Sequence, residues 1–150
     1  MAYTIIHIED DTGSQELIHE TLSIYGYNVL CYGSAEIACD KMASERPDLI
    51  ICDIMLPGMS GLDFLEKIHE STNDVFYTTP FIFITALEDR GSILRGRKLG
   101  ADDYLTKPVD IEILIEIVKH RLGQVRSVDL TSSSIPVSYT HLTLPTIYSV

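Results

Sequence analysis

Five short apolar runs punctuate the chain, at Thr4–Glu9, Asn28–Tyr32, Asp48–Asp53, Pro80–Thr85 and Asp103–Thr106. Most are nearly continuous rather than alternating, the pattern of parallel strands covered on both faces. Between and after them, apolar residues recur at helical spacing. Leu17, Ile18, Leu22 and Tyr25 form one stripe, closed by Gly26. Ser34 stands at the cap position of a helix through Ile37, Ala38 and Met42, and Ser60 before one through Leu62, Leu65 and Ile68. Asp110 precedes a last helix with Ile111, Leu114, Ile115, Val118 and Leu122 on one face. Five such strand–helix units in about 120 residues predict an α/β fold, a doubly wound five-stranded parallel sheet with helices on both faces. Ligands of such sheets bind beyond the carboxyl ends of the strands.

The strand ends are therefore the place to look for chemistry. The first ends in Glu9-Asp10-Asp11, the third in Asp53, the fourth in Thr85-Ala86 and the fifth in Thr106-Lys107-Pro108. Three or four carboxylates, a hydroxyl and an ammonium converge on one edge. Asp11 reads first as the cap of the helix that follows it. Carboxylates packed this closely repel unless a cation sits among them. An all-oxygen set with few protein ligands suits Mg²⁺, and the absence of nearby histidine ligands argues against zinc. A carboxylate beside Mg²⁺ is a competent nucleophile toward phosphorus, with metal and lysine neutralising the transferring phosphoryl oxygens. His7 reads as a buried, hydrogen-bonded residue rather than a ligand, and His19, His69 and His120 as surface residues.

Charge sharpens this picture. The chain carries 22 acidic and 11 basic residues. Residues 1–86 hold 14 of the acids and 3 of the bases, which argues against a nucleic-acid grip there. No run approaches the roughly 18 apolar residues of a membrane span, and Met1-Ala2-Tyr3-Thr4 lacks the basic start of a signal peptide. Cys31, Cys39 and Cys52 show no metal spacing and read as reduced thiols of a cytoplasmic protein.

Ile8-Glu9-Asp10-Asp11, Asp53-Ile-Met-Leu-Pro-Gly-Met-Ser-Gly61, Thr85-Ala86 and Gly100-Ala-Asp-Asp-Tyr-Leu-Thr-Lys-Pro108, in this order and at strand ends, resemble the receiver domains of two-component response regulators. The resemblance covers Tyr3 to about Val125. It implies the flavodoxin-like strand order 2-1-3-4-5. It implies that Asp53 is the phosphoacceptor, and that Glu9, Asp10, Asp53 and the Met55 backbone carbonyl hold Mg²⁺. Lys107 would bind the phosphoryl group, Thr85 would be the switch hydroxyl and Tyr104 the aromatic that follows it, and the Lys107–Pro108 bond would be cis. A histidine kinase or phosphotransfer protein would supply the phosphoryl group. The domain would then be a phosphorylation-dependent switch rather than an enzyme, assisting its own phosphorylation and dephosphorylation. Met55 and Leu87, the apolar residues that follow Asp53 and Thr85 by two, cannot position an attacking water, so a long-lived phosphorylated state is expected. The alternative is a pseudo-receiver acting only as a protein-binding module. A phosphatase with an aspartate nucleophile would want an acid two residues on, where Met55 stands. A phosphate-binding Gly-Lys-Ser/Thr loop is absent from the sequence.

A surface expectation follows from the last two helices. Ile113 and Ile117 fall nearly opposite the apolar face of the last helix. With Ile93 and Tyr104 they are expected to form an exposed apolar patch between the fourth and fifth helices, flanked by Arg90, Arg95, Arg97 and Lys98. Receivers use this face to form homodimers or bind targets. From Ser127 the character changes: residues 127–150 are rich in Ser and Thr, with one acid and no Lys or Arg. The expected division is a receiver domain over 1–126 and a non-domain tail over 127–150. Residues 137–146, Val137-Ser-Tyr-Thr-His-Leu-Thr-Leu-Pro-Thr146, resemble a translated sequencing adaptor, which would interrupt the natural gene near Pro136; a disordered natural tail is the alternative.

Overall fold

The computed structural model describes residues 2–71, 78–86 and 90–123. Leu87 and the tail over 127–150 lie outside the described residues. The elements alternate without exception: β1 (Thr4–Ile8), α1 (Thr12–Ile24), β2 (Asn28–Tyr32), α2 (Ala35–Glu45), β3 (Leu49–Asp53), α3 (Gly61–Ser71), β4 (Phe81–Thr85), α4 (Arg90–Lys98), β5 (Asp103–Thr106) and α5 (Ile111–Arg121). The strands form one parallel sheet in the order β2-β1-β3-β4-β5.

The continuous apolar runs are explained by two cores, one on each face. Successive strand residues point to opposite faces. Ile6, Ile8, Ile50, Cys52, Phe81, Phe83 and Tyr104 therefore join α2 and α3 in one buried cluster. Ile5, Leu49, Ile51, Ile82, Ile84 and Leu105 join α1 and α5 in the other. Local chemistry starts the helices where expected. Asp11 accepts from the Ser14 amide at 2.8 Å, Ser34 from Ile37 at 3.2 Å and Ser60 from Asp63 at 3.1 Å. Asp110 accepts from the amides of both Glu112 and Ile113. Each bond satisfies a donor that the helix itself leaves open. Gly26 closes α1 with φ at +93°, a conformation that glycine adopts freely.

Four expectations need correction. Ile117 is fully buried, because α5 sinks a wide arc of Leu114, Ile115, Ile117 and Val118 into the core; it is no part of a partner face. Ile93 is half-buried and packs against the other core, and Tyr104 is buried rather than exposed. Leu17 and Tyr25 lie outside the buried stripe of α1, which is Ile18 and Leu22; Tyr25 is the C-cap residue, its ring under the Lys119 ammonium. Ile37 points to solvent, since α2 meets the sheet through Ala35, Ala38 and Met42. Of the remaining patch, Ile113 is 39% exposed, and the sequence reading overlooked Leu94 at 55%.

Candidate functional site

Strand register brings the expected residues together. Ile8 pairs with Cys52, Asp53 with Ile84 and Thr85 with Thr106, so the carboxyl ends of β1, β3, β4 and β5 lie side by side. Glu9 leaves β1 with its amide bonded to the Tyr32 carbonyl at 3.0 Å, continuing the pairing of β1 with β2. Its side chain is buried, as is that of Asp53. The Lys107 ammonium reaches both, 2.9 Å from Glu9 Oε1 and 2.8 Å from Asp53 Oδ2. The lysine is aimed from its backbone: its amide donates to the Thr85 carbonyl at 3.0 Å, and the following bond to Pro108 is cis.

Asp53 has its second oxygen engaged as well, Oδ1 accepting from the Met55 amide at 2.9 Å. Glu9 Oε2 accepts from the Asp11 amide at 3.2 Å. Glu9, exposed Asp10 and Asp53 each bring a carboxylate oxygen within 4.8 Å of the others. One ammonium against these three carboxylates leaves two negative charges uncompensated, which matches a divalent cation. The donors are oxygens only, and Asp10 opens to solvent, so the set fits a hard ion that keeps part of its water shell.

Burial tunes the charged groups. It raises the Glu9 carboxyl above its ordinary range, and the bonds from Lys107 and the Asp11 amide oppose this without cancelling it. Burial alone would lower the Lys107 pKa, but its bonds to Asp53 and Glu9 outweigh that and leave it raised. His7, buried beneath Glu9 on β1, is pulled down to about 4 by burial and then by the Lys107 charge. It is therefore neutral near pH 7 and sits with Nδ1 4.0 Å from the Cys31 sulfur, a core residue rather than a ligand. Of the other histidines, His19 and His120 are exposed and His69 is half-buried.

Thr85 and Tyr104 lie on the face of Phe81 and Phe83, and both are buried. The Tyr104 ring sits 5.4 Å from that of Phe83, and its hydroxyl donates to the Ile93 carbonyl of α4 at 2.9 Å. Met55 is 60% exposed on the loop beyond Asp53. Sequence reasoning missed Gln15, whose side-chain amide donates to the Glu9 backbone carbonyl and fastens α1 to the site. It placed Leu17 only in the apolar stripe of the first helix, whereas Leu17 lines a groove with Ser14, Ile18, Pro108 and Val109 beside Lys107. No periodic signal marks either contact. Among the described residues, no helix is long and apolar enough to cross a membrane.

The chain is similar to known proteins in sequence and fold. The family model described as the response regulator receiver domain matches residues 5–119. The transcriptional regulatory protein CrdR of Helicobacter pylori is 36% identical over 119 residues, which cover 79% of this chain and 54% of CrdR. The response regulator MprA of Mycobacterium bovis is 30% identical over 144 residues, 96% of this chain and 60% of MprA. The chain thus spans little more than half the length of these curated relatives. A crystal structure of a two-component response regulator from Clostridium difficile superposes with a TM-score of 0.75 at 30% identity, covering 83% of this chain and 99% of that one. Four strand ends carrying acids, hydroxyl and lysine in register, on a sheet of this order and with these relatives, lead to one assignment: the chain belongs to the response regulator receiver domain family.

Proposed function

We propose that this domain is a phosphorylation-dependent switch in a two-component relay, with Asp53 as the phosphoacceptor. One observation carries the reading: Asp53, at the end of β3, is paired with the Lys107 ammonium and has a carboxylate oxygen within 4.8 Å of those of Glu9 and Asp10. In the transfer, an Asp53 carboxylate oxygen forms a bond to phosphorus as the P–N bond of a phosphohistidine breaks. The electron pair of that bond returns to the imidazole of a histidine kinase or phosphotransfer protein. Glu9, Asp10, Asp53 and the Met55 carbonyl would hold Mg²⁺, which when bound would neutralise charge on the phosphoryl oxygens. Lys107 is already within 2.8 Å of the acceptor carboxylate and passes to a phosphoryl oxygen as the bond forms. Thr85, on the adjacent strand end, donates its hydroxyl to another. Its movement frees the space beside Tyr104 on the same face, and Tyr104 is bonded to α4. The face between α4 and α5, with Leu94, Ile113 and the basic residues Arg90, Arg97 and Lys98, then receives a second copy or a target. The domain thereby assists its own phosphorylation and dephosphorylation without turning over a substrate, and the reading places it in the cytoplasm with its phosphodonor. Met55 and Leu87, both apolar, leave water unpositioned and prolong the phosphorylated state.

The test is intact-protein mass after incubation with acetyl phosphate and Mg²⁺. Wild type gains one phosphoryl group, and Asp53→Asn and metal-stripped protein gain none. Equal gain by the Asn variant sinks the assignment. A wild type that neither gains phosphate nor binds beryllofluoride is a binding module instead.

A further inference from the structure

The loop from Ile54 to Ser60 starts beside the site with Met55, and its shape is held at three points. At its start the Met55 amide bonds Asp53 Oδ1. At its base the Gly61 amide donates to the Ile54 carbonyl at 2.9 Å. There a Cβ on Gly61 would lie 2.3 Å from the Asp53 carbonyl oxygen, so only glycine lets the chain fold back on the phosphoacceptor. The third point is outside the loop. Glu36, exposed on the first turn of α2, accepts a hydrogen bond from the Met59 amide at 2.9 Å through Oε2. That bond holds its carboxyl below the ordinary range.

Gly58 makes this third contact possible. Its φ of +77° sets the turn, and a Cβ there would lie 2.5 Å from Glu36 Oε2. The obstacle is the end of a flexible side chain rather than backbone, so a residue at 58 would push the Glu36 carboxylate off the loop. The carboxylate and the glycine are thus two halves of one device, contributed by segments 22 residues apart. A solvent-facing acid gains little from such a bond in stability alone. Its effect is to fix the path of a seven-residue loop whose start presents a candidate ligand.

We propose that Glu36 is a positioning residue: by tethering Met59 to α2 it presets the Met55 carbonyl toward the carboxylates of Glu9, Asp10 and Asp53, and so strengthens cation binding without touching the cation. The inference rests on the reading of that cluster as a Mg²⁺ site. Charge-assisted bonds to backbone amides are among the stronger ones, and a preset ligand spares the binding ion the ordering of the loop.

The experiment is calorimetric titration of the full chain with Mg²⁺ alone, without phosphodonor. Glu36→Ala is expected to weaken Mg²⁺ binding about three- to tenfold. Glu36→Gln, which keeps an acceptor oxygen, is expected to restore most of it. Gly58→Ala should weaken binding in both backgrounds, since a side chain at a φ of +77° strains the turn by itself, but by less in the Glu36→Ala background, where the contact with Glu36 is already gone. Amide exchange at Met59 should quicken in Glu36→Ala, with thermal unfolding nearly unchanged. Wild type that binds no Mg²⁺ overturns the reading of the acidic cluster, and the proposal with it. Wild type and Glu36→Ala binding Mg²⁺ equally overturns the role of Glu36 alone. So does an additive effect of Gly58→Ala.

Discussion

α5 and α4 cover opposite faces of the sheet at its β5 edge, and the sheet holds them differently. α5 starts on Asp110, which accepts from two of its amides, and buries Leu114, Ile115, Ile117 and Val118. Each fully buried aliphatic side chain of this kind contributes roughly 1.5–3 kcal/mol. α4 buries only Gly96, with Ile93 and Leu99 half-buried at the rim of the core. It is otherwise secured by the Tyr104 hydroxyl on the Ile93 carbonyl and by Arg95, which bridges Asp63 and Glu66 of α3. A neutral hydrogen bond contributes about 1 kcal/mol and exposed ion pairs about 0–1 kcal/mol each. The difference assigns roles: α5 is seated in the core as scaffold, and α4 is the more lightly held of the two.

The comparison breaks most visibly at α5. Ile117→Glu should destabilise the domain by about 3–5 kcal/mol, by losing a core side chain and burying a carboxylate. Ile113→Glu, two residues away at the surface, should stay within about 0.5 kcal/mol. Urea unfolding of both decides it, and equal losses would mean that α5 is not seated as described. His7 tests the same side of the sheet, where it shares the parity of Ile5. Its folded pKa of about 4 lies below the unfolded value of 6.5. The unfolded chain therefore binds more protons between these values, and stability is full above pH 6.5 and lost as pH falls toward 4. The loss is about 3 kcal/mol. The difference between wild type and His7→Gln should shrink through that window, and parallel curves would remove His7 as the cause.

Smaller effects belong to α4. Tyr104→Phe should cost about 0.5–1.5 kcal/mol and quicken amide exchange in α4 more than in α5. Uniform quickening would mean that α4 has no separate freedom. The smallest is Arg95→Ala, about 0.2–1 kcal/mol at low salt and less at high salt, measured by the same unfolding. A salt-independent loss would point to packing of its stem instead.

This contrast also shows what was legible in the sequence. The strands were, because burial on both faces leaves an unbroken apolar run, and β2 and β5 keep the predicted bounds. So were the caps, since Asp11, Ser34, Ser60 and Asp110 act on amides two or three residues away. The site was legible because strand ends of a parallel sheet must meet, and Glu9, Asp53 and Lys107 do so within bonding distance. Ile117 was misjudged because an ideal helical wheel does not say how wide an arc the neighbouring sheet and helix will cover. Ile93 and Tyr104 were placed outward for want of Gly96, where a Cβ would lie 1.7 Å from the Tyr104 hydroxyl. That vacancy admits the ring under α4. Gln15 and Glu36 reach backbone groups 6 and 23 residues away through single polar contacts, and no pattern along the chain announces such a bond.

The strand order has a consequence for when the charges of the acidic cluster are balanced. Lys107 directly follows the last strand, β5, which lies at the sheet edge and pairs only with β4. A chain emerging from the ribosome has Glu9, Asp10 and Asp53 in hand long before β5 exists. Until β5 docks, the three acids face one another with no ammonium among them, and α5 has no core to close. The ammonium that balances the cluster therefore depends on the last strand being in place, and a copy whose β5 edge has come away keeps three facing carboxylates without it.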